Sequence, residues 1–209
     1  MSIITPKYNL QSFPDVYEPS EDTFLLLDAL ECDTQFLLDL KPRLVVEIGS
    51  GSGVVISALS QIFHTSCMYF ATDINPQCCL ATQNTCILND SNVECTRMDL
   101  LVGFREHMFD VIIFNPPYVV TQTVELYGSG LNRAWAGGLR GRVIIDRLVN
   151  ELPKLLSKNG VCYMVLLKEN EPDEIVKTMD KYHFKSEVVL ERKIPGERLF
   201  VYKFFRMSA

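Results

Sequence analysis

The sequence has no CxxC pair, although it carries seven cysteines: Cys32, Cys67, Cys78, Cys79, Cys86, Cys95 and Cys162. That odd number and spacing exclude a zinc ribbon and a closed disulfide framework. Reduced thiols in a cytoplasmic protein are expected, with the nucleus as a further compartment. No apolar run reaches the roughly 18 residues that a membrane span needs. The opening stretch, MSIITPKYNLQSF, lacks the basic and apolar regions of a secretory leader. Basic residues are in deficit: 20 Lys and Arg face 26 Asp and Glu, for a formal charge of −6. This argues against a broad nucleic-acid surface. Histidine is scarce, and His64, His107 and His183 are dispersed, so no metal site is expected. Repeats, low-complexity tracts and linkers are also missing, so the 209 residues read as one domain, with residues 1–12 expected outside its ordered part. What is plentiful is apolar surface, at 47 % of residues. It fits either a dense core or a face covered by a partner.

Strand-like and helix-like segments alternate. EDTFLLLDALECDTQFLL (21–38) predicts a helix, with Leu26, Leu27, Leu30 and Leu37 at helical spacing. RLVVEIG (43–49) reads as a buried strand, VVISALSQIF (54–63) as a helix and CMYFATDI (67–74) as a second strand. PQCCLATQNTCILND opens on Pro76, a favoured first-turn residue, and reads as a helix. NVECTRMDL and FDVIIFN are the third and fourth strands. GRVIIDRLVNELPKLLSKNG predicts a helix closed by Asn159-Gly160, with a kink or break at Pro153. VCYMVLLKE is the fifth strand, PDEIVKTMDKYH a helix, and KSEVVLER and RLFVYKFFR flank a hairpin turn, KIPGE. The expected fold is α/β: a doubly wound, mostly parallel sheet of seven strands with a C-terminal antiparallel hairpin.

EIGSGSG places Glu47 just before Gly49, Gly51 and Gly53, at the end of the first strand. Glycines there allow a tight turn and close backbone approach to a ligand at a helix N-terminus. A dinucleotide fingerprint, G-x-G-x-x-G, fails because the third glycine comes one position early. A P-loop fails because no Gly-Lys-Ser/Thr follows. Asp73 ends the second strand, where an acid accepts from ribose hydroxyls. Asp99 ends the third, where an acid can accept from the adenine amino group. Glu47 can favour a cation or hold loop amides. Three acids and no phosphate-binding lysine suit a nucleoside that carries positive charge and no phosphate, the character of S-adenosylmethionine.

FDVIIFNPPYV (109–119) runs from an apolar strand into two prolines. Pro116 and Pro117 remove N–H donors and stiffen the turn. Asn115 offers a side-chain carbonyl beside the Pro116 backbone carbonyl, a pair of acceptors for the two hydrogens of a planar NH2 group. Tyr118 can stack on that group. An amide nitrogen is a poor nucleophile, so positioning must supply most of the effect, on the order of 7–11 kcal/mol.

EIGSGSG, DIN and FNPPYV together resemble a class I S-adenosylmethionine-dependent methyltransferase of the HemK type, the glutamine methyltransferases of translation release factors. DVYEPSEDTFLLLDAL and AWAGGLRGR resemble its short eukaryotic and archaeal branch. The resemblance spans residues 13–205. It implies a Rossmann-like methyltransferase fold and a cofactor site lined by Thr23, Glu47, Gly49, Asp73, Asp99, Leu100 and Asn115. It implies that Asn115, Pro116 and Tyr118 hold the substrate amide, the glutamine of a Gly-Gly-Gln motif in a class-1 release factor. It also implies a heterodimer with a small zinc-binding activator subunit, docked on the third strand as a sheet edge. The NPPY motif alone is shared with adenine and cytosine amino-methyltransferases, so a nucleic-acid or protein-lysine substrate is the alternative. A non-catalytic scaffold is disfavoured by the intact motif.

Three features stay open. Ser20 reads as a helix cap, with Glu21 and Asp22 serving the helix dipole and Thr23 facing the cofactor. AWAGGLRGR reads as a substrate-covering loop or a solvated one. Arg133, Arg140, Arg142 and Arg147 read as a basic patch for a partner or as a solvated face.

Overall fold

The computed structural model describes residues 3–63, 67–122 and 135–206. Five segments form parallel strands: β1 (Leu44–Ile48), β2 (Met68–Asp73), β3 (Val93–Arg97), β4 (Phe109–Phe114) and β5 (Leu156–Leu167). The hairpin β6 (Phe184–Ile194) and β7 (Glu197–Arg206) completes a seven-stranded sheet of order β3-β2-β1-β4-β5-β7-β6. β7 is antiparallel to both of its neighbours. Val45, Val46, Val111, Ile112 and Ile113 are completely buried, as a parallel sheet covered on both faces requires. This is the architecture that the alternating pattern predicts.

The chain leaves β1 toward β2 and β3, then returns to β4 on the other side of β1. The strand order therefore reverses between β1 and β4. In doubly wound sheets a crevice opens there, beyond the carboxyl ends of the strands. EIGSG and NPPY end these two adjacent strands, which is how stretches some 65 residues apart reach one crevice.

The helices are α1 (Glu21–Cys32), α2 (Thr34–Leu40), α3 (Val54–Phe63), α4 (Pro76–Leu88), α5 (Val143–Leu155) and α6 (Pro172–Lys181). α4 starts as its sequence suggests, with Asn75 accepting from the Gln77 amide at 2.9 Å and Pro76 in the first turn. In α5, Ile145, Leu148, Val149, Leu152 and Leu155 form one buried stripe at helical spacing.

Three expectations need correction. The single helix over 21–38 is two helices, broken at Asp33, whose carboxylate takes the Tyr163 hydroxyl and the Lys203 ammonium at 2.9 Å. Asn159-Gly160 does not close a helix. α5 stops at Leu155, two residues beyond Pro153, and β5 begins at once. Phe109 pairs with Leu156 and Val111 with Val161, so residues 157–160 bulge opposite Asp110. Gly160 is needed there because a Cβ would lie 2.8 Å from the Phe109 carbonyl oxygen. Finally, residues 3–12 are not detached. The Ile3 amide donates to Glu31 at 2.8 Å, and Lys7 exchanges two hydrogen bonds with the Asn89 side chain.

Gly53 opens α3 with φ at +77°, and a Cβ on it would sit 2.6 Å from the Thr82 Cα of α4. Strain and overpacking combine, so Gly53→Ala should lower unfolding free energy by about 1–3 kcal/mol in urea denaturation. An unchanged midpoint would show that α3 and α4 separate freely at this contact.

Candidate active site

A cavity of about 860 Å³ lies at the carboxyl ends of β1, β2 and β4. Thr23, Glu47, Gly49, Gly51, Asp73, Asp99, Leu100, Asn115, Pro116, Pro117 and Tyr118 all line it. Gly53 does not: it lies behind the loop, packed on Thr82. The remaining walls come from Tyr17 and Asp22 near the start of α1, Trp135 and Ala136, and Ile194, Pro195, Glu197 and Leu199 of the hairpin. Arg192 of β6 clasps Glu21 and Asp28 of α1, holding hairpin and helix together.

The acids at the strand ends hold the loop in shape. Glu47 is 3 % exposed, and its Oε2 accepts from the Ile56 amide at 2.9 Å, one of the amides that a helix start leaves unpaired. Burial pushes its carboxyl well above the ordinary range, against the pull of that amide. Asp73 accepts from the Gly51 amide at 3.0 Å and from the Asn75 amide at 2.8 Å. Burial raises Asp73 too, and those amides hold the rise back. Asp99 lies just beyond β3 and is half exposed, with Oδ2 on the Arg147 guanidinium at 2.7 Å.

The motif at the end of β4 is oriented by a residue that local sequence does not single out. Asp22 is 5 % exposed. Its Oδ2 accepts from Asn115 Nδ2 at 2.9 Å and from the Tyr118 hydroxyl at 3.2 Å. Its Oδ1 accepts from the Thr23 amide at 2.8 Å and the Tyr17 hydroxyl at 3.4 Å. A carboxylate only accepts, so the Asn115 NH2 must face it and Oδ1 must face away. That Oδ1 is buried and has no hydrogen-bond partner, an arrangement that native interiors rarely tolerate without a ligand. The helix-dipole reading of Asp22 is therefore replaced by a role in aiming Asn115. One signal for it exists: Asp22, Leu25, Leu26 and Ala29 fall on one helical stripe, and all are buried. Glu21 points elsewhere, to Arg192. Thr23 is buried beside Asp22, its hydroxyl accepting from the Ser20 amide at 3.4 Å.

Burial first, then the nearby Asp22 and Glu197 charges, push the Tyr118 phenol far above its ordinary value. It is a neutral donor at physiological pH, not a base. Asp22 already accepts five hydrogen bonds, the Thr23 hydroxyl at 3.5 Å among them. The site can therefore hold and orient a planar nitrogen, with the carboxylate beside Asn115 already engaged by hydrogen-bond donors among the described residues.

The described part of AWAGGLRGR is not a solvated loop. The Val119 amide donates to the Trp135 carbonyl at 3.0 Å, and the Gly137 amide donates to the Val119 carbonyl at 2.8 Å. Residues 135–143 thus form a strap across the exit of NPPY. The basic patch is also spent internally. Arg140 pairs with Glu171 and Glu174, Arg142 with Asp146 and Glu174, and Arg147 with Asp99. Arg133 lies outside the described residues.

The family model described as Methyltransferase small domain matches residues 21–128. "Methyltransferase HEMK2" of Homo sapiens is 41 % identical over 196 residues, covering 92 % of this chain and 91 % of that protein. "eRF1 methyltransferase catalytic subunit mtq2" of Schizosaccharomyces pombe is 36 % identical over 220 residues, covering 98 % and 95 %. Among solved structures, the E. cuniculi Mtq2-Trm112 complex, described as responsible for methylation of the eRF1 translation termination factor, superposes with a TM-score of 0.72 at 27 % identity. The match covers 92 % of this chain and 99 % of that one.

The buried acids predict a pH dependence. A carboxyl raised in the folded state binds its proton more tightly folded than unfolded, so stability falls as pH rises from the ordinary carboxylate range toward the raised value. Glu47→Gln keeps an acceptor for the Ile56 amide and removes this proton. Denaturation of both proteins at acid and neutral pH should show the variant losing less stability on going to neutral pH. Equal losses would mean that Glu47 ionises in the fold without penalty.

Proposed function

The chain belongs to the methyltransferase small-domain family, and on that footing we propose that it methylates the side-chain amide nitrogen of the glutamine in the Gly-Gly-Gln motif of a class-1 translation release factor. The observation that carries this reading is the buried, unpartnered Asn115 Oδ1, fixed by Asp22 beside a proline pair that has no N–H of its own. A primary amide brings two N–H donors to such acceptors.

S-adenosylmethionine is the methyl donor in this reading, and the donor set fits it. The cavity is of ligand size, its ionised lining is dominated by carboxylates, and glycines at φ +64° and +51° bring the loop backbone to its wall. Asp73 would hold ribose hydroxyls and Asp99 the adenine amino group through the oxygen that Arg147 leaves free. Of the two arginines in the wall, Arg147 is paired with Asp99, and Arg97 donates its Nε to the Ile74 carbonyl. When bound, the cofactor supplies an electrophilic methyl group on a cationic sulfur. The protein's part is to bind, aim and exclude water. Asn115 and the Pro116 carbonyl would accept the two amide hydrogens, and the nearly buried Tyr118 ring, 8 % exposed, would pack on the amide plane. Placement of this kind supplies on the order of 7–11 kcal/mol, and no side-chain base need remove the amide proton in advance.

Incubation with labelled cofactor should label a release factor and leave untouched a release factor whose motif glutamine is replaced by alanine. Asn115→Ala should retain the wild-type unfolding transition and lose on the order of 100-fold in turnover, the scale of a lost alignment. Equal labelling of both release factors would sink the substrate assignment, and normal turnover in the variant would sink the role of Asn115.

The activator subunit, a small zinc-binding protein, would dock on β3. That strand is one edge of the sheet, with unpaired backbone groups along its free side. Beside it α4 exposes Leu80, Ile87 and Leu88, with Ile87 at 75 %. A partner strand added to this edge would cover both. Val93→Lys should abolish co-purification with the activator while leaving the secondary structure intact by circular dichroism. Retention of the complex by this variant, with a lone chain that is soluble and fully active, would move the interface elsewhere.

A further inference from the structure

Behind the Asn115–Tyr118 segment lies a side chain that touches neither solvent nor the cavity. Asn170 ends the 3-10 turn Lys168–Asn170 after β5 and is completely buried. Its Oδ1 accepts from the Leu167 amide at 2.7 Å. Its Nδ2 donates to the Tyr118 carbonyl at 2.8 Å and to the Arg140 carbonyl at 3.0 Å. One amide thus joins three backbones: the end of strand β5, the exit of NPPY and the strap 135–143.

The strap is fitted closely to the same carbonyl. A Cβ on Gly141 would lie 1.9 Å from the Tyr118 carbonyl oxygen, and one on Gly137 would lie 2.5 Å from the Pro117 carbonyl oxygen. Between them Arg140 adopts φ 59°, a left-handed conformation that a non-glycine residue holds only where its surroundings enforce it. The Arg140 carbonyl is held there by Asn170, and its side chain pairs with Glu171 and Glu174 on the turn and helix that follow Asn170. Tyr118 is therefore gripped at both ends, by Asp22 at its hydroxyl and by Asn170 at its carbonyl.

We propose that Asn170 is a positioning residue for methyl transfer, acting through the Tyr118 carbonyl and the strap to fix Tyr118 and, with it, the acceptor face of Asn115. This rests on the chain's reading as a glutamine methyltransferase. Holding Tyr118 by its side chain alone would leave its backbone free to pivot about the Asp22 contact. A displacement of about 1 Å at a reacting group can cost 100-fold in rate.

The test is Asn170→Asp in the complex with the activator. Aspartate keeps the acceptor for the Leu167 amide and lacks the donor for both carbonyls. Turnover of the release factor should fall about 10- to 100-fold. The KM for cofactor should stay within about twofold, because the lost interaction serves the reaction and not cofactor binding. Trp135, the only tryptophan of the sequence, lies in the strap, so its fluorescence should become more accessible to acrylamide. Leu37→Ala, a core truncation in α2 away from strap and cavity, supplies the comparison: it should lower the melting temperature and spare turnover. Should Asn170→Asp fail to fold, Asn170→Ser, too short to reach Tyr118, takes its place with the same expectations. Unchanged turnover in the folded variant, or a loss matched by Leu37→Ala, overturns the proposal. If the wild-type complex does not methylate glutamine at all, the proposed function falls and the positioning role falls with it. Unchanged Trp135 quenching in the variant would then also refute the strap contact itself.

Discussion

The hydrogen bond from Asn115 to Asp22 joins the start of the first helix to the end of the fourth strand. Much of the site depends on it. It decides which way the Asn115 amide points, and so whether the crevice meets a carbonyl oxygen or an NH2 group. Because Asp22 also takes the Tyr118 hydroxyl, the same carboxylate sets the ring that closes the crevice. The neighbouring amide of Thr23, donating to the other oxygen, keeps that carboxylate from rotating. A helix held by a buried apolar stripe is thereby made to serve the acceptor site at the end of β4.

Around this contact the electrostatics are one-sided. Glu47 and Asp73 are buried with backbone amides as hydrogen-bond partners, and backbone amides compensate a negative charge only in part. The arginines in or near the site are bound to other acids or to a backbone carbonyl. Carboxyls outnumber arginines in the cavity wall and the arginines are already engaged, so the charge the crevice carries is negative and favours a cationic ligand. The net charge of the chain points the same way without being its cause, since charges lining the crevice dominate at these distances.

The strands could be read from sequence because parallel strands are continuous apolar runs bounded by glycine, proline or polar residues. The helix over 54–63 matches its expected limits for the same reason, being an apolar segment that begins directly after a glycine loop. What could not be read depends on partners distant along the chain. Asp33 breaks a helix because Lys203 and Tyr163 claim its carboxylate, and nothing nearby in sequence announces either. Asn159-Gly160 looks like a helix stop and is a bulge, because β5 starts earlier than its apolar run implies. The third glycine of the loop looks like a ligand contact and is a packing contact with α4. At the site, Asp22 and Asn170 were the hidden residues. Each is polar, each is buried, and each is defined by the distant group it bonds.

The hairpin wall carries one more consequence, for the order in which the chain is made. Ile194, Pro195, Glu197 and Leu199 close a cavity whose other walls are in place by Tyr118 and the strap. Synthesis of the residues from the end of the strap to Leu199 at 5–20 per second leaves an interval of about 3–11 s. Until β7 pairs with β5, the apolar flank of β5 is uncovered and Arg192 has not reached α1. A growing chain thus exposes one flank of β5 and an unroofed acceptor site together, and both are concealed in the same step.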